Sequence, residues 1–237
     1  MRKDLKDNGS FVMPENKTDL LYAANVSVLK NKEFYDLCYA DLSQKRREKT
    51  DRYAFTEDKL LSVGAQLLLK KALSDFGENF KCLDFDIEKN GKPYIKNRDN
   101  LFFNISHSGE YVLCAVSNKP VGCDIEKIKE ADLKIAKRFF CESEYKVISD
   151  CKTHEAENEM FFKLWTLKES FVKLTGEGLK LPLDSFEIIF NKEIPAIKSF
   201  DGKSFCIFEY GNIKGYRCAF CTEKKIAKPQ LKIINFR

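Results

Sequence analysis

The segment FNISHSGEYVLCAVSNKPVGCDIEKIK, residues 103–129, carries the most informative pattern in this chain. Near its end, residues 121–125 predict a short strand. Because side chains alternate along a strand, Asp124 and Glu126 then point to the same side. Two neighbouring carboxylates repel each other unless a hard cation such as magnesium lies between them. The same alternation is also typical of an ordinary half-buried strand, so the pair alone leaves both interpretations open.

A second informative segment, FFKLWTLKESFVKLTGEGL at residues 161–179, predicts one amphipathic helix. Its apolar residues recur at helical spacing until two glycines stop the pattern. Glu169 and Lys173 are four positions apart and share a face, and Lys168 lies at the flank of that face. Such a pair is compatible with a solvated surface contact. The alternative is a third carboxylate for a metal ion, with both lysines anchoring phosphate.

Three motifs in these segments resemble a known family. They are Ser106-His107-Ser108, Gly122-x-Asp124-Ile125-Glu126 and Trp165-x-x-Lys168-Glu169-x-x-x-Lys173-x-x-Gly176-x-Gly178. In this order they closely resemble the surfactin-synthetase-type 4′-phosphopantetheinyl transferases, and the similarity covers about residues 19–222. The resemblance implies an α+β fold of two similar halves, each with a small, mainly antiparallel sheet packed by helices. It places the site in the cleft between the halves, although no sequence repeat is visible.

The resemblance also implies a reaction. A serine of an apo acyl or peptidyl carrier protein attacks coenzyme A, receives 4′-phosphopantetheine and displaces 3′,5′-ADP. The implied metal ligands, for magnesium with manganese left open, are Asp124, Glu126 and Glu169. The implied catalytic groups are Lys168 and Lys173, which balance charge, and a base that is either Glu169 or Glu144. Ser106 and His107 are implied to hydrogen-bond phosphate oxygens.

Coenzyme A is expected to contact basic residues of the first half. By resemblance, Arg46 and Lys49 bind the 3′-phosphate, and Lys92 and Pro93 line the nucleotide end. Asn90-Gly91 is also a turn signal, so a plain hairpin with Lys92 in water is the alternative. The chain departs from the family at Leu61, where many relatives carry an arginine that contacts coenzyme A. Lys59, two residues earlier, is the candidate replacement.

The composition is that of an ordinary soluble globular protein, with 43% hydrophobic and 32% charged residues among 237. No apolar run approaches the roughly 20 residues of a membrane span, and the start lacks a signal-peptide core, so we expect a cytoplasmic protein without a membrane partner. The nine cysteines are expected to be reduced. Cys218 and Cys221 have a metal-ligand spacing, but on a strand they face opposite sides, which argues against zinc.

The basic charge of the chain is modest and unevenly distributed. The net charge is +5, with one basic cluster at residues 45–49 and another in the tail at 224–237. Such clusters are most often solvated surface. Nucleic acid is poorly supported, because no aromatic residues interleave with the cluster and no nucleic-acid module surrounds it. A positive rim would instead suit an acidic carrier domain.

The order of predicted elements indicates two linked halves. Residues 1–18 form a polar extension, residues 19–123 an N-terminal α+β half and residues 124–237 a C-terminal α+β half. We predict strands at 20–29, 83–87, 102–105, 111–117, 121–125, 185–190, 205–210 and 216–222. We predict helices at 32–47, from 56 to about 77, and at 132–140, 142–149 and 155–174. Thr56 is expected to be the N-cap of the second helix.

Two rival classes of function remain for comparison. A serine hydrolase at Ser106-His107 is disfavoured, because adjacent strand residues diverge and no nucleophile elbow or third orienting residue is present. A non-catalytic binder of coenzyme A or nucleotide is harder to exclude, because Lys49, Lys92 and His107 could serve binding alone. By resemblance the protein is a monomer. The sequence does not identify the carrier or its pathway.

Overall fold

The computed structural model describes residues 19–96, 98–198, 200–223 and 225–236, and the predicted extension at 1–18 lies outside them. Its strands are β1 Leu20–Asn25, β2 Asp84–Ile87, β3 Pro93–Lys96, β4 Phe102–Ser108, β5 Tyr111–Ser117, β6 Val121–Lys127, β7 Glu187–Asn191, β8 Ile194–Lys198, β9 Cys206–Tyr210, β10 Tyr216–Thr222 and β11 Leu231–Ile233. Its α-helices are α1 Lys32–Ala40, α2 Gln44–Asp51, α3 Thr56–Asp75, α4 Leu133–Phe139, α5 Glu142–Ser149 and α6 His154–Thr175.

The two halves repeat one order of elements. In the first half a strand, a long helix, a hairpin and two strands follow as β1, α3, β2–β3, β4 and β5. In the second half the same order is β6, α6, β7–β8, β9 and β10. The sheets run β11-β1-β5-β4 and β6-β10-β9, so the first strand of each unit lies beside its last. The predicted α+β class with two similar halves is therefore confirmed, and the repeat lies in topology rather than in sequence.

Among the residues that the structure describes, three hydrophobic clusters form the core. One packs α3 against the first sheet, and a second packs α6 against the second sheet. The third lies between the two sheets and contains Leu21 and Leu113 from the first half with Ile125 and Phe220 from the second, each fully buried. Burial of this kind is typical of a domain core. The two halves therefore meet through apolar packing, which fixes the cleft between them.

Several element boundaries differ from the sequence prediction. The predicted strand at 20–29 ends at Asn25, and residues 27–30 form a 3₁₀ turn. The predicted helix at 32–47 is two helices, because the Ser43 side chain accepts a hydrogen bond from Arg46 N and starts α2. Phe55, not Thr56, is the N-cap residue of α3. Strands β3, β8 and β11 were not predicted, since each is only three to five residues long.

The end of the chain returns to the first half. β11 pairs in parallel with β1, with Leu231 opposite Leu21. The predicted boundary after residue 123 falls inside β6, and the predicted second half contains a strand that extends the first sheet. Within the ranges that the structure describes, no helix has the length and apolarity needed to span a membrane.

Candidate active site

The candidate site begins where the edge strands of the two sheets meet. β4 and β6 lie side by side but belong to different sheets, and polar side chains bridge them. Ser106 Oγ donates to Asp124 Oδ1 at 2.7 Å, and Ser108 Oγ donates to Glu126 Oε2 at 2.7 Å. Alternate residues of one strand thus bind alternate residues of the other. Asp124 and Glu126 therefore share one side of β6, as the alternation predicts.

Close contact between α6 and β6 brings the helix residues to these acids. A Cβ atom at Gly122 would collide with the backbone of Ser170 and Leu174 in α6. Only glycine fits at this point, which explains the glycine that precedes the two acids in the sequence motif. One helical face then presents Glu169 and Lys173 to β6.

Lys173 and Asp124 form the centre of the site. Lys173 Nζ lies 2.5 Å from Asp124 Oδ1 and 2.8 Å from Ser106 Oγ. The Asp124 side chain is 3% exposed and that of Lys173 is 27% exposed. Burial alone would lower the pKa of Lys173, but the negative charge of Asp124 and the hydrogen bond to it raise the pKa overall. The lysine therefore stays protonated as a fixed cation.

The neighbouring acids carry unfavourable charge. Burial, followed by the charge of Asp124, raises the pKa of Glu169. Burial also raises the pKa of Glu126, where the Ser108 hydrogen bond opposes the effect and Asp124 adds to it. Among the described residues, Asp124 Oδ2 is buried without a hydrogen-bond partner. These are the conditions that a bound divalent cation would relieve.

The acids suit a hard cation in donor type and charge, but they do not form a closed ligand cluster. In the described part of the chain, no three His, Cys, Asp or Glu side chains already converge as a metal site. Lys173 supplies the positive charge at Asp124 Oδ1. The donor set of Asp124, Glu126 and Glu169 therefore fits magnesium in chemical type and charge.

Ser106 and His107 point to opposite faces of β4, because they are adjacent on a strand. Ser106 faces Asp124, whereas His107 lies in the field of Asp58 and Arg46. Desolvation by the surrounding protein atoms, followed by the positive charge of Lys173, lowers the pKa of His107. His107 is therefore a neutral imidazole near pH 7, and the residue is exposed to solvent.

The expected phosphate ligands Arg46 and Lys49 lie together on α2. Partial desolvation and the charge of Arg46 lower the pKa of Lys49. Arg46 Nη2 donates to Ser62 O at 2.9 Å, and its buried Nε has no partner among the described residues. Leu61 is only 6% exposed and packs in the first core, so it does not line the cleft. Lys59 lies partly exposed in the first turns of α3.

Lys92 and Pro93 follow the turn of the β2–β3 hairpin, as the sequence predicts. Gly91 has φ +90°, which favours glycine at this position. The Lys92 ammonium does not lie free in water, since Nζ is 2.6 Å from Lys173 O and 3.1 Å from Leu174 O. Burial lowers the pKa of Lys92. Both residues line the cleft described below.

Lys168 and Glu144 do not join the acidic cluster, contrary to the roles that the resemblance implies. Their side chains form an ion pair of 2.8 Å and are 0% and 1% exposed. Lys168 Nζ also donates to Leu183 O and Phe186 O, at 2.7 and 2.8 Å. A fully buried ammonium with these three acceptors has no access to substrate. The burial of both side chains therefore argues against a catalytic role and favours a structural ion pair.

A cavity of about 780 Å³ lies between the two halves. Lys92, Asn104 and Ile105 line it from the first half, and Trp165, Glu169 and Lys173 from the second. Its remaining wall is largely apolar, with Phe139, Val172, Leu181 and Leu183. A cleft with an apolar wall and a few charged groups at one side is typical of a binding site for a small molecule.

Sequence reasoning assigned no role in the site to three polar residues that organise it. Ser108 holds Glu126, Asn104 Oδ1 accepts a hydrogen bond from Cys123 N at 2.9 Å, and Asn90 binds the end of α6. Asn104 and Ser108 occupy the same side of β4 as Ser106. The period of two along this strand was the signal that could have found them.

Comparison with known proteins agrees with this geometry. A family model described as the 4′-phosphopantetheinyl transferase superfamily matches residues 120–221, and one described as the N-terminal part of such a transferase matches residues 30–119. A Bacillus subtilis 4′-phosphopantetheinyl transferase is 38% identical over 79% of this chain and 84% of its own length. The transferase Sfp of Bacillus subtilis strain 168 is 37% identical over 76% and 82%, and HetI of Nostoc is 33% identical over 66% and 68%. The chain therefore belongs to the 4′-phosphopantetheinyl transferase family and is of the Sfp-like type.

Proposed function

We propose that this protein transfers the 4′-phosphopantetheine group from coenzyme A to a serine of an apo carrier protein and releases 3′,5′-ADP. The observation that carries the proposal is the hydrogen-bonded group of Lys173, Asp124 and Ser106, in which Lys173 lines the inter-half cleft together with Glu169. A passive binder would not need a buried carboxylate with an unpartnered oxygen. Phosphoryl transfer uses such a group, because it depends on positioning and charge neutralisation.

The side chains of the chain would act as follows. Lys173 would neutralise charge on the phosphate that is attacked, and Ser106 would orient it. The carrier serine oxygen forms the new bond to phosphorus, and the bridging oxygen of the pyrophosphate leaves with 3′,5′-ADP. Glu169 would accept the serine proton, since its side chain lines the cleft that the substrates would enter. Neutral His107 would donate a hydrogen bond to phosphate from the other face of β4.

Asp124, Glu126 and Glu169 would hold the metal ion that the family resemblance implies. When bound, a divalent cation such as magnesium supplies positive charge to the pyrophosphate. Oxygen ligands distinguish magnesium from manganese poorly, so either ion suits this donor set. Ser108 would keep Glu126 oriented towards that position.

Arg46 and Lys49 would bind the 3′-phosphate of coenzyme A, and Lys92 and Pro93 would contact its nucleotide end. The unpartnered buried Nε of Arg46 supports an anion at this place. Lys59 remains the candidate for the missing arginine contact, since Leu61 is part of the core. The apolar wall of the cleft suits the pantetheine arm, which carries methyl groups and only neutral polar groups.

The expected partners are coenzyme A and an apo acyl or peptidyl carrier protein of fatty-acid, polyketide or nonribosomal-peptide synthesis. We further propose that the protein acts as a cytoplasmic monomer, without nucleic acid or membrane partners. The two halves enclose the cleft within one chain, which supports a monomer.

The test is direct transfer to a carrier. We would mix the protein with coenzyme A, magnesium and a panel of purified apo carriers, and expect by mass spectrometry the addition of one phosphopantetheine to the carrier serine. Asp124→Ala and Glu169→Ala should lower transfer by at least about a hundredfold. Glu155→Ala, an exposed acid at the start of the same helix, is the matched control and should retain activity. Binding of coenzyme A without transfer to any carrier would favour the rival, a non-catalytic binder.

A further inference from the structure

The tip of the β2–β3 hairpin reaches across the cleft to the end of α6. Asn90 Nδ2 donates to Gly176 O, and Lys92 Nζ donates to Lys173 O and Leu174 O. These three carbonyls all belong to the C-terminal turn and cap of the helix. Contact is close, because a Cβ added at Gly176 would lie 3.3 Å from Asn90 Nδ2 and 3.4 Å from Lys92 Cδ. A segment of the first half thus caps a helix of the second.

The end of α6 needs such partners. The last four carbonyls of an α-helix lack donors within the helix, and its C-terminus carries partial negative charge. Gly176 has φ +74° and its N–H bonds to Val172 O, which turns the chain but leaves the following carbonyls to other donors. Asn90 and Lys92 supply a neutral donor and a cationic donor to this end.

Lys173 is consequently fixed at two points. Its carbonyl oxygen accepts from Lys92, and its ammonium binds Ser106 and Asp124. The first contact holds the backbone of the helix turn, and the second holds the side chain. These three partners come from the β2–β3 turn, β4 and β6, where the two halves meet. The position of the Lys173 charge therefore depends on how closely the hairpin is docked.

We propose that the hairpin tip, residues 88–92, is a latch that docks α6 at the cleft, and that Asn90 is a positioning residue for Lys173. Asn90 Oδ1 accepts from Lys92 N at 3.1 Å, which turns its amide nitrogen towards the helix. Asn90 therefore organises the turn with one atom and caps α6 with the other. The effect on catalysis rests on the proposed transferase function, whereas the effect on the helix does not.

Asn90→Asp separates the two contacts of the side chain. The aspartate keeps an oxygen for Lys92 N but presents an acceptor to Gly176 O, and its charge is unfavourable beside a helix C-terminus. Asn90→Ala removes both contacts. Lys89→Ala is the matched control, because Lys89 is an exposed residue of the same turn. We would measure amide hydrogen exchange of residues 173–176 without substrates, and then kcat and KM for coenzyme A.

In both Asn90 variants we expect exchange of these amides to rise by about three- to tenfold, the effect of losing one net hydrogen bond. We expect kcat to fall by a similar factor while KM for coenzyme A changes less than about twofold, because the turn of Lys173 is loosened without loss of a ligand contact. Lys89→Ala should match the wild type in all three quantities.

Unchanged exchange at residues 173–176 in Asn90→Asp would overturn the latch, whatever the activity. A rise in KM for coenzyme A with unchanged kcat would instead make Asn90 a ligand contact and would also overturn the positioning role. If the wild type itself transfers nothing, the proposed function fails, but the exchange measurement still decides whether the hairpin caps α6.

Discussion

We predict that loss of the buried Lys168 charge strongly lowers the free energy of unfolding but changes kcat only modestly. Lys168→Met keeps most of the volume of the side chain but leaves the Glu144 carboxylate buried without its cation. Breaking a buried ion pair by removing one partner costs about 3–5 kcal/mol. Two carbonyls, Leu183 O and Phe186 O, also lose their ammonium donor. Since a domain of this kind is stable by only about 5–15 kcal/mol, a large share of its free energy of unfolding should be lost.

The companion variant Lys168→Met/Glu144→Gln tests how much of that loss is unpaired charge. Glu144 accepts hydrogen bonds from Cys141 N and Ile188 N, and the glutamine oxygen can keep one of them. The double variant should therefore be more stable than Lys168→Met alone. It should still fall short of the wild type, because each buried carbonyl without a donor costs about 1–3 kcal/mol.

Urea unfolding followed by circular dichroism would give the free energies of unfolding. Lys146→Met, at an exposed position of α5, is the control and should lie within about 0.5 kcal/mol of the wild type. Transfer activity would be measured at a temperature where each variant is folded. We expect Lys168→Met to keep kcat within about tenfold, whereas removal of a catalytic charge costs about a hundredfold or more. Wild-type stability combined with a loss of that size would refute the structural role and return Lys168 to the active site.

Two other predictions concern the acidic cluster. The pKa values of Glu169 and Glu126 are raised above the ordinary 4.5, so both take up protons as the pH falls through these raised values. The fall of kcat/KM on the acid side should therefore lie above pH 4.5. It should move to lower pH at higher magnesium concentration, because the metal competes with protons for these carboxylates. A pH profile that does not change with magnesium concentration would contradict the metal assignment. Ser108→Ala should weaken manganese binding by about tenfold in calorimetry, since Glu126 loses its orienting donor. Ser108→Thr should restore most of it, and equal affinity in wild type and Ser108→Ala would argue against this role.

Alternation along strands predicted the best-defined part of the site. Asp124 and Glu126 lie two residues apart, and the rule that such residues share a side holds whatever surrounds the strand. The pairing of Glu169 with Lys173 on one face of α6 followed from helical geometry in the same way. Both predictions concern residues close in sequence, where local geometry decides the result.

Long-range packing decided what the sequence did not predict. Lys168 adjoins Glu169 in sequence, but one residue turns the helix by about 100°, and it meets α5 rather than β6. Nothing local to Lys168 indicates that Glu144 will be its buried partner. Likewise, Leu61 occupies a usually basic position, yet only the tertiary structure shows that it packs in the core. Short strands such as β3 depend on their hairpin partner and leave little periodicity to detect.

The site lies where the edge strand of one sheet meets the edge strand of the other. β4 and β6 are edge strands, and an edge strand presents backbone groups that need partners. Asn104 Oδ1 accepts from Cys123 N, and Ser108 Oγ accepts from Lys127 N at 3.1 Å, so polar side chains of β4 satisfy the edge of β6. Because the Ser108 oxygen accepts a hydrogen bond from Lys127 N, its hydroxyl hydrogen is free to be donated to Glu126. The contact between β4 and β6 therefore joins the two halves and also orients Glu126 of the candidate site. Polar residues on β4 are needed both for the structure and for the proposed function.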